Sequence, residues 1–439
     1  MSRVFATVLG TAALLFALQG VTAVRDAYKR LKDLNAEALE LQNVHSGLQS
    51  RADRLGVSAA VGTHQQGEHT TPVHDACIGA PVNSAEVIAA VVVIAYNRLE
   101  YLQQCITSLL ETHGQDQRNR QKFHLYISQD GNQSGIAELA RSHAPSIFHM
   151  QHVRADNFPT RKKSEPVAYY RIASHYKYIM QQMFDCWQYP KVILLEDDMK
   201  LAVDFFPYFE MGAKLLDRDP SLYCISSWND HGQAHLVQNS TRLERSDFFP
   251  GLGWMLTNSL WQSLKSQWPT AYWDDWMRLR SVRKSRQCIR PEVCRTYNYG
   301  EKGSSNGQYY AKFLQHIKLN NVMVDWQSQD VQYLEAKVYA QMVGRKLQSA
   351  RLLTAASDVN LHGGTVKLMY DGKYEYENLA NELGIMNDWK DGVPRASYHG
   401  VVTLHTNNAE VLLAPVPVVE KSIKHTIRRA GQPFKAGHD

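Results

Sequence analysis

The chain has 439 residues, of which 44% are hydrophobic and 21% charged, with a net charge of +5. That length excludes one small domain and that composition excludes a disordered chain. The positive charge gathers at 278–290 and from Lys421 onward without interleaved aromatics or a recognition motif, so no nucleic-acid partner is expected.

Residues 4–24 carry no charge and are flanked by Arg3 and Arg25. Such a run is long enough to cross a bilayer as a helix, so residues 1–24 are expected to be a signal anchor, with a cleaved signal peptide as the rival. Either one would deliver the rest of the chain to the secretory lumen. Residues 25–85 read as a stem. Leu34, Leu41, Leu48 and Leu55 recur at heptad position d, and Leu31, Ala38, His45 and Ala52 at a. A coiled coil over 31–55 would allow a homodimer; a solitary helical stalk is the alternative. Residues 56–84, rich in Gly, His, Thr and Pro, form a linker.

From 86 onward strands and helices alternate. Residues 87–95 are a near-continuous β-branched run, as a buried parallel strand requires. Leu99, Leu102, Ile106, Leu109 and Leu110 then recur at helical spacing. Strands are predicted at 123–128, 147–153, 192–195 and 222–227, and helices at 167–187 and 205–217. The pattern predicts an α/β fold with a mostly parallel sheet covered on both faces over 86–330. Ligands of such sheets lie beyond the strands' carboxyl ends. That singles out Asp130 and Glu196-Asp197-Asp198. Three adjacent carboxylates repel one another unless a cation compensates. A hard divalent cation, shared with the diphosphate of a nucleotide sugar, would do so. The plainer reading is a solvated acidic turn or helix start. The six cysteines (Cys77, Cys105, Cys186, Cys224, Cys288 and Cys294) show no C-x-x-C spacing, which argues against structural zinc.

Longer motifs occur in order. They are Val91-Val-Val-Ile-Ala95 with Asn97-Arg98, Ser128-Gln-Asp130, Ile172-Ala-Ser-His-Tyr176 and Val192-Ile-Leu-Leu-Glu-Asp-Asp-Met199. Ser226-Ser-Trp-Asn-Asp230, Asp247-Phe-Phe-Pro-Gly-Leu-Gly-Trp254, Tyr272-Trp-Asp-Asp-Trp-Met-Arg278, Ile289-Arg-Pro-Glu292 and Ile317-Lys-Leu-Asn320 follow. Together, from about 86 to 415, they closely resemble the N-acetylglucosaminyltransferase I family, glycosyltransferase family 13, and its plant-type members above all. The resemblance implies a GT-A fold, a Rossmann-like mixed sheet. It implies Mn2+ and inverting transfer of GlcNAc from UDP-GlcNAc to the α1,3-linked mannose of an oligomannose N-glycan at the Golgi membrane.

Carried over by residue, the resemblance makes Asp198 the metal ligand and turns Glu196 and Asp197 toward donor sugar and ribose. Ile94, Arg98, Asp130 and His175 match nucleotide-binding positions; without the family, His175 would read as structural. Leu252 and Trp254 match the loop lining the donor sugar. Trp273 and Asp274 match the acceptor side, with Asp274 as the base, although spacing alone leaves Asp275 equally eligible. Ser304 and Ser305 match a loop that closes over the diphosphate. The resemblance also implies a Cys224–Cys288 bridge, which would stabilise by roughly 3–4 kcal/mol on a chain-entropy estimate. A second family pair is absent, since its positions hold Tyr96 and Gly131.

Sequons occur at Asn132 and Asn239, and glycosylation is expected at Asn239 only, because Asn132 abuts Asp130. Residues 331–415 read as a smaller C-terminal α+β domain, with strands at 365–370 and 401–413 and a helix at 376–383. Residues 416–439 read as a basic tail. Two rivals stand beside the transferase reading: a related enzyme acting on O-linked mannose, and a stalked lectin without catalysis. The linker is too short for the extra domain usual in the first, and the intact Asp198, Asp274 and Asp275 argue against the second.

Overall fold

The computed structural model describes residues 86–153, 158–301, 303, 307, 309–406 and 408–416. The expected anchor, stem, linker and basic tail lie outside the described residues, as do Ser304, Ser305 and Cys77. Among the described residues no helix is long and apolar enough to cross a membrane.

The first half of the body alternates as its hydrophobic periods dictate. Strand β1 (Ala89–Ala95) leads to α1 (Leu99–Gly114), β2 (Phe123–Asp130), α2 (Ser134–Ser142) and β3 (Phe148–His152). Helix α3 (Val167–Met180), β4 (Lys191–Glu196), α4 (Phe205–Arg218) and β5 (Leu222–Ser226) follow. Side chains of β1 divide between two cores with period two. Val91 and Val93 pack with Leu102, Ile106 and Phe206 on one face. Ala90 and Val92 pack with Ala173, Ile179 and Trp254 on the other. The predicted helix through 187 is two structures. After Met180 it widens into a π-helical turn, Gln181–Cys186, that keeps Met183 and Phe184 buried.

Then come β6 (Leu243–Ser246), β7 (Trp254–Thr257), the short helices α5 (Trp273–Met277) and α6 (Arg280–Arg283), β8 (Gln287–Pro291) and β9 (Thr296–Asn298). The main sheet has eight strands in the order β3-β2-β1-β4-β7-β5-β8-β6. It is mixed: β1 runs parallel to β2 and β4, while β7 is antiparallel to both β4 and β5. This reversal serves the site. Trp254 opens β7 opposite Leu194 and Ser226, so the Gly251–Gly253 loop arrives where β4 and β5 end. Cys224 and Cys288 face each other across β5 and β8 and form a disulfide.

A second, four-stranded sheet contains Arg351–Leu352, β10 (Gly364–Tyr370), β12 (Ala409–Pro415) and β11 (Val402–His405), in that order. It has its own core around Val366, Leu368, Tyr376 and Val411. Helix α8 (Lys373–Glu382) lies near its predicted place. Helix α7 (Ala336–Ser349), which the sequence reading left unassigned, precedes it; Tyr339 is its one buried residue. The single predicted stretch 401–413 is split into two antiparallel strands, β11 and β12.

Candidate active site

The carboxyl ends of β1, β2 and β4 lie side by side, with Ile94 paired to Ser128 on one side and Glu196 on the other. Parallel register therefore converts three distant motifs into one rim. Arg98, four residues beyond Ile94, reaches across it. Its Nη1 donates to Asp198 Oδ2 at 2.6 Å, and its Nη2 pairs with Asp197. Burial opposes the guanidinium's charge, but Asp198 and Asp197 outweigh that and raise its pKa.

One arginine does not neutralise three carboxylates. Desolvation, then the Asp198 charge, pushes Glu196 up to about 8 despite Arg98. Desolvation likewise pushes Asp197 up to about 7 against the pull of Arg98. A cluster so poised has room for further positive charge. Asp198 is 4% exposed, and its Oδ1 accepts from Asn298 Nδ2 at 2.8 Å. Gly300 stands against the same carboxylate, where a Cβ would collide with Asp198 Oδ2. Among the described residues no three His, Cys, Asp or Glu side chains gather as a metal cage. The donor set fits a hard cation held by one carboxylate, and the lack of a Cβ at Gly300 lets the backbone lie against that carboxylate.

Asp130 and His175 are brought together through His152. His175 Nε2 lies 2.7 Å from Ser128 Oγ, and its ring stacks on His152 at 5.3 Å, only 5° from parallel. His152 Nδ1 is 2.9 Å from Asp130 Oδ1. Leu252 is half-buried, and its carbonyl accepts from Ser227 and Thr296 hydroxyls, which pins the loop before β7.

Trp273 is 6% exposed. It stacks on Tyr176 at 4.1 Å and lies near-parallel to Trp254 and Trp268 at 5.8 and 6.1 Å. Its ring supports the site from within the core. Tyr176 had no assigned role, yet its hydroxyl donates to Glu196 Oε1 at 3.3 Å. Burial foremost, then the charges of Glu196, Asp274 and Asp198, raise the Tyr176 pKa well above its usual value. Tyr176 thus links the triplet to Trp273, which stands beside the carboxylates Asp274 and Asp275.

Those carboxylates open α5. Tyr272 precedes it at φ 53°, a left-handed conformation costing about 1–3 kcal/mol in a non-glycine residue, and stacks on Tyr169 at 4.7 Å. Asp274 accepts from Arg278 Nη1 at 2.8 Å. Asp275 accepts from Arg278 at 3.1 Å and from Lys390 Nζ at 2.8 Å. Burial would raise the Asp275 pKa, but Lys390 and Arg278 together lower it. Asn239 is exposed, with its Oδ1 accepting the Thr241 hydroxyl at 2.8 Å; Asn132 is exposed as well.

The GNT-I family profile matches residues 24–424. The chain belongs to the GNT-I family. An Arabidopsis thaliana relative of that kind, an alpha-1,3-mannosyl-glycoprotein 2-beta-N-acetylglucosaminyltransferase, is 43% identical over 345 residues, 77% of each chain. The GNT-I motifs found between 86 and 415 therefore sit inside a longer stretch of family likeness. Likeness to solved structures is partial. A Pyrobaculum calidifontis mannosyltransferase, PcManGT, in complex with GDP-Man and Mn2+ is 14% identical, with a TM-score of 0.29 over 48% of this chain and 58% of that one. S. aureus TarS 1-349 in complex with UDP-GlcNAc is 11% identical, with a TM-score of 0.31 over 59% and 65%.

Proposed function

We propose that this chain transfers N-acetylglucosamine from UDP-GlcNAc, with inversion, to the α1,3-arm mannose of oligomannose N-glycans. The observation that carries the reading is Tyr176, whose hydroxyl bonds Glu196 while its ring stacks on Trp273 beside Asp274, within a member of the GNT-I family.

Arg98, Asp130 and His175 bind the nucleotide end of the donor, and Glu196 and Asp197 face its sugar and ribose. The Leu252 loop, fixed by Ser227 and Thr296, forms the wall of the sugar pocket. Asp198 would hold a divalent cation, Mn2+, whose charge offsets that of the departing diphosphate. Asp274 takes the proton from the attacking mannose hydroxyl, as direct inverting displacement requires. Asp275, with two cationic partners, is the less available of the two. Ser304 and Ser305 are proposed to cover the diphosphate. A Golgi lumenal location behind an N-terminal anchor, and glycosylation at Asn239, complete the proposal.

The test is UDP-GlcNAc with an oligomannose acceptor, first with Mn2+ and then with EDTA. Transfer that stops on chelation and returns with Mn2+ supports the reading; transfer indifferent to EDTA ends the metal assignment. An O-mannosyl peptide used in preference to the oligomannose acceptor would move the chain to the rival substrate.

A further inference from the structure

We propose that Lys390 is a positioning residue for the acceptor-side carboxylates, carried to α5 by a hairpin that belongs to the C-terminal part of the chain. This deepens, and rests on, the reading of Asp274 as the base.

The hairpin pairs Trp389–Lys390 with Val393–Pro394. Its two-residue turn, Asp391-Gly392, has both residues at positive φ (48° and 77°), the backbone of a tight hairpin. At its root Trp389 packs edge-on against Tyr370 of β10 and tilted against Tyr376 of α8. The hairpin is therefore anchored in the second sheet's core while its tip rests on the first domain's catalytic helices.

Three contacts fix the tip. Asp391 Oδ2 accepts from the Arg280 backbone N–H at 2.7 Å, at the start of α6. Arg280 Nη2 donates to the Gly392 carbonyl at 3.3 Å, an approach in which a Cβ at 392 would stand 2.7 Å from that nitrogen. Lys390 Nζ meets Asp275 Oδ2 at 2.8 Å. A fourth support lies beneath. The guanidinium groups of Arg278 and Arg395 each lie 4.8 Å from the Phe248 ring centre. Arg395, just after the hairpin, is in turn held by Asp230 and Asp388.

The consequence concerns sharing. Adjacent carboxylates at 274 and 275 both take Arg278 Nη1. With Lys390 on its other oxygen, Asp275 is committed as an anchor, and its charge is offset. Asp274 keeps a single cationic contact and stays aligned for the acceptor hydroxyl. The Lys390–Asp275 pair is partly exposed on both sides. Pairs of that kind contribute little to stability, so its loss should register in catalysis and leave the fold intact.

The experiment compares Lys390→Met, Lys390→Arg, Asp275→Asn and the Lys390→Met/Asp275→Asn double variant in the full chain. Lys390→Met is expected to lower kcat/KM for the mannoside acceptor about tenfold, while KM for UDP-GlcNAc and acceptor-free donor hydrolysis stay within about twofold. Lys390→Arg should recover most of the loss, and the double variant should be no worse than Asp275→Asn. Unchanged acceptor kinetics in Lys390→Met would overturn the proposal, as would a matching fall in donor hydrolysis or a failure of Lys390→Arg to rescue. Asp274→Asn separates the two readings. If it keeps turnover, the base assignment fails, whereas the Lys390 series still reports on positioning.

Discussion

Asp198 combines three constraints: Arg98 on one oxygen, Asn298 on the other, and Gly300 pressed close. Replacing it with asparagine keeps its volume and removes the charge that would face a cation. Asp198→Asn is expected to lower turnover at least about 100-fold, the scale of a lost electrostatic contact at a reacting centre. Its Tm should move by no more than about 3 °C, equivalent to roughly 1 kcal/mol in a chain of this size. Parallel collapse of activity and Tm would make the triplet structural. Gly300→Ala probes the same point from the backbone. A methyl there displaces Asp198 Oδ2, so a Mn2+ titration of activity should show a weakened or lost response in a protein that still unfolds cooperatively.

At the scale of elements, Asp204 shows how the site's strands are held. Fully buried just ahead of α4, it accepts from Arg295 Nη2 at 2.9 Å, Asn320 Nδ2 at 2.7 Å and Trp326 Nε1 at 2.9 Å. Arg295 immediately precedes β9, the strand that presents Asn298 to Asp198. Asp204→Asn leaves a buried guanidinium uncompensated and should cost about 3–5 kcal/mol in urea unfolding. Much of this layer was legible beforehand. The strands, helices and acidic rim, Asp130 included, follow from hydrophobic period and from the rule that parallel strands end at the ligand, whereas Arg98 and His175 are singled out by the family resemblance alone. Asn298 was not legible, because it meets Asp198 across 100 positions through an antiparallel pairing of Thr296–Asn298 with Met199–Leu201 that no local pattern announces. Lys390 was hidden for the same reason, lying 115 positions from Asp275. Trp273 shows the opposite difficulty: a tryptophan beside an aspartate suggests a sugar-facing wall, and here the ring is enclosed by other aromatics.

Across the whole molecule, a buried charge network joins the two sheets. Glu244 of β6 meets Arg290 of β8 at 2.5 Å, and His405 of β11 lies 3.4 Å from the same carboxylate. Burial would raise the Glu244 pKa, but Arg290 foremost, and then His405, bring it down to about 2. A depressed carboxylate stabilises the fold above its unfolded value, near 4.5, and that contribution is lost as pH falls toward 2. Burial also lowers His231 to about 4, so stability begins to fall as pH drops below about 6.5, where the unfolded imidazole gains a proton first. Below pH 6.5 these two groups should therefore pull the urea midpoint down, against an opposing gain down to about pH 4 as Glu196 and Asp197, held up near 8 and 7, take protons first in the folded chain. Glu244→Gln should flatten the part below about pH 4.5 and lower stability at neutral pH by about 3–5 kcal/mol, because Arg290 is left unpaired.

The aromatic stack behind the site has an optical consequence. Trp254 and Trp268 each lie near-parallel to the central Trp273, and Tyr176, whose hydroxyl bonds Glu196, stacks on that same central ring. If the donor sugar sits against Glu196 as proposed, its binding would be felt by Tyr176 through their hydrogen bond and by Trp273 through the ring stack. Intrinsic fluorescence thus offers a label-free titration of donor binding, and Tyr176→Phe is the variant that should uncouple the signal from the site.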